Sequence, residues 1–167
     1  MLLQICIELP IEAQQFHVLN FADAEWSDRV PYLVQAALVD SFEKTGVFAA
    51  VGSESLGVGT DFVLDTTIED FQAVYDAATG PPRVVVKLAM TLIAMPERKI
   101  VSQTRVRAEQ AATANVVPDI VSAFDAALGS AVRQAVIWTA TNPVLSPRSG
   151  SVISRTRSVH SMENKDR

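Results

Sequence analysis

Apolar and polar residues alternate along several stretches of this chain, the signature of strands with one buried face. Leu3, Ile5, Ile7 and Leu9 alternate with Gln4, Cys6 and Glu8, and Pro10 closes the run. Residues Phe16 to Phe21 give a weaker pattern for a second, short strand. Phe62, Leu64, Thr66 and Ile68 form the next set, with Asp65 and Glu69 turned the other way and Phe71 to Tyr75 continuing it. Glu69 and Asp70 are consecutive, so in a regular strand they point to opposite faces. The clearest strand follows the Thr79-Gly80-Pro81-Pro82 turn. Val84, Val86, Leu88, Met90, Leu92 and Ala94 share one face, and Val85, Lys87, Ala89, Thr91 and Ile93 share the other. After the polar turn Pro96-Glu97-Arg98-Lys99, Ile100, Thr104, Val106 and Ala108 face inward, with Gln103, Arg105, Arg107 and Glu109 outward. Two long strands joined by a short polar turn read as an antiparallel hairpin.

Two segments repeat at three and four instead. Val30, Leu33, Val34, Ala37, Leu38 and Phe42 fall on one helix face. Ser27 or Asp28 is the expected N-cap, Pro31 belongs in the first turn, and Gly46 stops the helix. Val47, Phe48 and Val51 suggest a short strand, and residues 52–59 a glycine-rich loop. The second helix is expected over Val117–Ala140, capped by Asn115, with Pro118 in its first turn and Asp119 favouring its positive end. Gly129 interrupts it at a cost of ~1 kcal/mol relative to alanine. Together these elements predict an α+β two-layer sandwich: a mostly antiparallel sheet with two helices packed on one face. The domain is expected to span residues 1–140. Periodicity stops there, and residues 141–167 read as a disordered Ser/Arg-rich tail.

Composition narrows the function classes. Apolar residues make up 49% of the 167-residue chain, enough for one domain with a core. Seventeen acidic and nine basic residues lie in 1–140, against two and five in 141–167. An acidic body argues against nucleic acid as a partner, since phosphate binding needs clustered cations. No apolar run reaches the ~20 residues of a membrane-spanning helix. The first residues, Met1 to Glu8, lack a basic start and do not read as a signal peptide.

No cofactor, metal or catalytic residues are expected. Cys6 is the lone cysteine, and with Leu3, Gln4 and Ile5 before it, it is not expected to be lipidated. His17 and His160 have no metal-ligating partner at helical spacing. Gly52, Gly57 and Gly59 lack the Gly-Lys-Ser/Thr ending of a phosphate loop. Asp23, Glu25 and Asp28 cluster beside Trp26. They suit the positive end of a helix, or, as the alternative, the acid–base site of a small hydrolase.

A longer segment carries more information. Trp26, Asp28, Pro31, Leu33, Gln35, Leu38 and Phe42 resemble the Trp-x-Asp-x-x-Pro…Leu-x-Gln…Leu…Phe signature of the ABC-type transport auxiliary lipoprotein family. Gly46–Val51, Thr60–Leu64, Asp70-Phe71, the 84–108 hairpin and the Ala123–Thr139 helix resemble the family's later parts in order, so the resemblance covers about residues 20–140. It implies a non-enzymatic periplasmic accessory of an Mce-type ABC lipid-transport system, such as the paraquat-inducible intermembrane system. Such a protein is usually anchored to the outer membrane as a lipoprotein, although the signal and lipobox are absent from this sequence. The partners implied are Mce-type or ABC transporter components, phospholipid, and further copies of the chain. The expected partner or lipid surface comprises Trp26, Arg29, Val85, Ala89, Ile93, Arg105 and Arg107. A purely structural partner-binding module is the other alternative to enzyme and accessory.

Overall fold

The computed structural model describes residues 1–8, 25–53, 59–76 and 80–145, the side chains of 25–28 excepted. The elements are β1 (Leu2–Glu8), α1 (Glu25–Thr45), β2 (Ala50–Gly52), β3 (Phe62–Val74), β4 (Arg83–Ala94), β5 (Lys99–Ala111) and α2 (Val117–Ala140). The strands form one sheet in the order β2-β1-β3-β4-β5. The long neighbours β3, β4 and β5 are antiparallel, and β1 joins parallel to both β2 and β3. Parallel neighbours need a crossover, and α1 provides it between β1 and β2. The sheet is mostly antiparallel and carries both helices on one face, the expected α+β two-layer architecture.

Register explains the core. Ile5 aligns with Leu64, and Leu64 with Leu92. Ile68 aligns with Leu88, which aligns with Val106. Each of these side chains is buried on one face. From above, α1 adds Val34, Leu38 and Phe42, while α2 adds Ile120, Ala127 and Ala131. The alanines of α2 let the helix sit close to the sheet. Phe124 stacks on Phe71 with ring centroids 4.9 Å apart. Fully burying side chains such as Leu64 or Leu88 contributes roughly 1.5–3 kcal/mol each.

Local features depart from the sequence expectation in seven places, the first being Leu33, expected on the buried face of α1 but 47% exposed. Helix α1 starts at Glu25, so Ser27 and Asp28, expected as its cap, lie within it, and Pro31 lies beyond the first turn. At α2 the N-cap is Val116, with no side-chain cap bond. Asn115 is instead held outward, its Oδ1 accepting from the Tyr75 hydroxyl at 3.2 Å. The short strand expected over residues 47–51 is Ala50–Gly52. A register shift between Ile68 and Asp70 puts Glu69 in a bulge, so Glu69 and Asp70 do not alternate. A second shift at Leu92/Ile93 turns Ile100, expected inward, out to 58% exposure. Finally, the chain stays packed beyond Ala140. Asn142 and Leu145, expected in the tail, are buried, and Leu145 joins the core.

Gly46 follows α1 with φ +64°, the left-handed conformation that the helix stop required. The Phe16–Phe21 strand, most of the 52–59 loop, His17, His160 and the tail from residue 146 lie outside the described residues.

Candidate functional site

Strand alternation gives the sheet a second face, and among the described residues no helix packs on it. β4 presents Arg83, Val85, Lys87, Ala89, Thr91 and Ile93 there. Beside it, β5 presents Gln103, Arg105, Arg107 and Glu109, in register with Thr91, Ala89, Lys87 and Val85. Five of the seven expected surface residues therefore meet on one face: Val85, Ala89, Ile93, Arg105 and Arg107.

Two acidic residues organise the charge on this face. Glu69 takes a 2.8 Å hydrogen bond from Arg105 Nε through Oε1, and Lys87 Nζ lies 2.8 Å from its Oε2. The Arg105 and Lys87 hydrogen bonds hold its carboxyl below the usual range, against the opposing effect of partial burial. The bulge makes this possible, because it turns Glu69 toward the cations and keeps Asp70 in register with Lys87. Asp70 shares the face: its Oδ1 accepts from Gln72 Nε2 at 3.1 Å. Glu109 forms a second hub, bonded by Arg83 and by Arg107. Those bonds, Arg83 first, lower its carboxyl, and the reciprocal bond raises Arg83. Arg105 is raised in the same way by Glu69.

Apolar residues on the same face differ in access. Val85 is 4% exposed although it lies outside the core cluster. Its cross-strand neighbours are Gln72 and Glu109, so the Arg83–Glu109–Arg107 group surrounds it with long side chains. Ala89 and Ile93 are half-buried. At the hairpin end, Val63, Ile93 and Ile100 align across β3, β4 and β5. This apolar row ends on the exposed Ile100, a residue that the sequence pattern had placed in the core.

The remaining expected residues stand apart. Arg29 is exposed near the start of α1, in the helix layer. The side chain of Trp26 lies outside the described residues, as do those of the Asp23–Glu25–Asp28 cluster. On β1, Cys6 is half-buried and accepts a bond from Gln4 Nε2 at 3.5 Å. Burial and then Asp65 raise its thiol, which disfavours the nucleophilic thiolate. Gln35, one of the motif residues, has a structural task. Its Nε2 donates to the Ile5 carbonyl at 3.0 Å, one residue past the end of the β1–β2 pairing.

Glu69, Lys87 and Glu109 were not singled out from the sequence as parts of this surface. The signal for the bulge was present: apolar spacing changes from two at Thr66–Ile68 to three at Ile68–Phe71. The partner choice of each acid was not readable, because it depends on the β3–β4–β5 register.

Comparison with known proteins places this architecture. The model of a family described as the ABC-type transport auxiliary lipoprotein component matches residues 8–136. The uncharacterized protein bll6063 of Bradyrhizobium diazoefficiens is 32% identical over 121 residues, 72% of this chain and 32% of that protein. The chain thus spans about a third of that relative's length. The crystal structure of XCC0632 from Xanthomonas campestris is similar at TM-score 0.66 and 18% identity, over 83% of each chain. The hypothetical protein CT253 from Chlamydia trachomatis is similar at TM-score 0.57 and 9% identity, over 84% of this chain and 96% of that one. At these identities the two structures show a shared fold.

Proposed function

Because the chain belongs to the ABC-type transport auxiliary lipoprotein component family, we propose that it is a non-enzymatic accessory of an Mce-type ABC lipid-transport system. In this reading it works in the periplasm, on an outer-membrane anchor, by docking on transporter components through the open face of β3, β4 and β5. The family match over residues 8–136 carries the accessory role. The docking surface is supported by the ion-paired hubs at Glu69 and Glu109 and by the Val63–Ile93–Ile100 row beside them. An apolar patch rimmed by charge is the usual anatomy of a protein-binding surface. Phospholipid contact belongs to the same proposal and is assigned to the apolar row.

Co-elution of the full chain with purified Mce-type and ABC subunits tests the role, with phospholipid extracted from the eluted complex. The accessory reading predicts a stable complex with at least one subunit, and phospholipid that is depleted by Ile100→Glu. A chain that elutes apart from every subunit contradicts the reading. A complex free of phospholipid would remove the lipid part and leave the docking part standing.

A further inference from the structure

Strand β5 ends the sheet, and among the described residues no strand pairs with its outer edge. In an antiparallel ladder, alternate residues turn both backbone groups to the same neighbour. Two bonds show which residues of β5 turn outward. Ala112 N donates to the Pro82 carbonyl at 2.9 Å, so the even-numbered residues from Thr104 to Ala112 face β4. The Arg107 carbonyl instead accepts from Gln134 Nε2 of α2 at 3.2 Å. Gln103 and Arg105 share the phase of Arg107, so each turns an N–H and a C=O toward the outer edge.

The charge of this edge is opposite to that of the chain. Residues 98–108 hold Arg98, Lys99, Arg105 and Arg107 and no acid, in a chain of net charge -5. Arg105 and Arg107 are paired to Glu69 and Glu109, yet in each pair the cation lies nearer solvent. The side chain of Arg105 is 70% exposed against 22% for Glu69, and that of Arg107 58% against 33% for Glu109. What this stretch of β5 shows to solvent is therefore cationic.

We propose that the Gln103–Arg107 edge of β5 accepts an extended, acidic segment of another protein as an added strand. In such an addition, backbone hydrogen bonds give affinity and side chains at alternate positions give selectivity. Residues of the added strand opposite Arg105 and Arg107 place their side chains on the same face, so acids two positions apart complement the two arginines. Two other occupants have the wrong charge. A second copy of β5 would set the cationic run against itself, which is how charged edges keep strands apart. Residues 146–167 are basic too, with five cations against two acids. An anionic lipid surface matches the charge but brings no groups in register with the outward N–H and C=O. The inference goes beyond the accessory role and does not rest on it, since the pairing needs only a segment of this chemistry.

Titration calorimetry of the full chain with a short peptide alternating glutamate and valine tests it. Saturable binding is expected, with none for a lysine–valine peptide of the same length. N-methylation of the alternate amides that meet the edge should weaken binding about tenfold or more, because the backbone bonds they donate are lost. Gln103→Pro should act in the same way from the protein side. It removes an outward N–H, spares the ladder to β4 and keeps every cation, and a thermal melt confirms the folded chain. Arg105→Gln should weaken binding several-fold through charge. A glutamate–valine peptide that does not bind overturns the proposal. Equal binding of its N-methylated form overturns it as well, since charge attraction without strand pairing would remain. Binding found only with phosphatidylglycerol-containing vesicles would overturn it by giving the cations to lipid.

Discussion

Glu69 is held below the usual carboxyl range by Arg105 and Lys87, and this fixes the sign of its pH effect. A carboxyl whose folded-state value is lowered stabilises the fold fully above its unfolded value. The contribution fades as pH falls through the lowered folded value. The melting temperature of the wild type should therefore exceed that of Glu69→Gln at neutral pH. The gap should begin to close below the ordinary value of 4.5 and vanish in stronger acid. A gap that stays constant down to acid would show that the hub contributes nothing through its charge. Gln35 acts differently, through one bond to the Ile5 carbonyl. Gln35→Ala should lower the unfolding free energy by about 1–3 kcal/mol, the cost of leaving a buried acceptor unmade, measured by urea denaturation. Both roles depended on which strands become neighbours. Gln35 was legible as a motif residue, but its partner 30 positions away was not. Lone residue types such as Cys6 carried little, since their meaning came from burial.

Strand and helix periods were the most legible layer of the sequence. β4 and β5 read out as a hairpin because Val84, Val86, Leu88, Met90 and Leu92 recur at every second position of β4 ahead of a polar turn. Leu88 sits at the centre of that strand, fully buried between Ile68 and Val106. Leu88→Ala should cost about 2–5 kcal/mol of stability by transfer and cavity terms, read from the shift of the urea midpoint. Irregularities were what the periods hid. A bulge adds one residue to one strand, so the residues on its two sides fall out of phase with each other. One such step, between Ile68 and Asp70, turned Glu69 toward Lys87 and Arg105, and a separate one at Leu92/Ile93 moved Ile100 from the expected core to the surface. Helix ends were also poorly legible. Asn115 is a good capping residue by type, yet α2 begins with Val116 as cap and Pro118 in the first turn, and Tyr75 takes the asparagine. The proline supplies the helix start without any side-chain cap.

At the scale of the whole molecule, the two layers give the protein two unlike sides. The helix layer carries the outer face of α2, and the sheet layer carries the charged open face. The fold class and the family were readable from the order of elements and from the Trp26–Phe42 segment. The docking face was only half readable. Alternation placed Val85, Ala89, Ile93, Arg105 and Arg107 together, but not the access that leaves Val85 buried and Ile100 exposed. The central claim is that this face binds the transporter. Its most direct test is the affinity of the full chain for its Mce-type subunit, by titration calorimetry, for the wild type and for Ile100→Glu. The account predicts a loss of about tenfold or more for a charge placed in the apolar row, with the melting temperature unchanged. Equal affinity of the two proteins would contradict it and move the binding surface elsewhere.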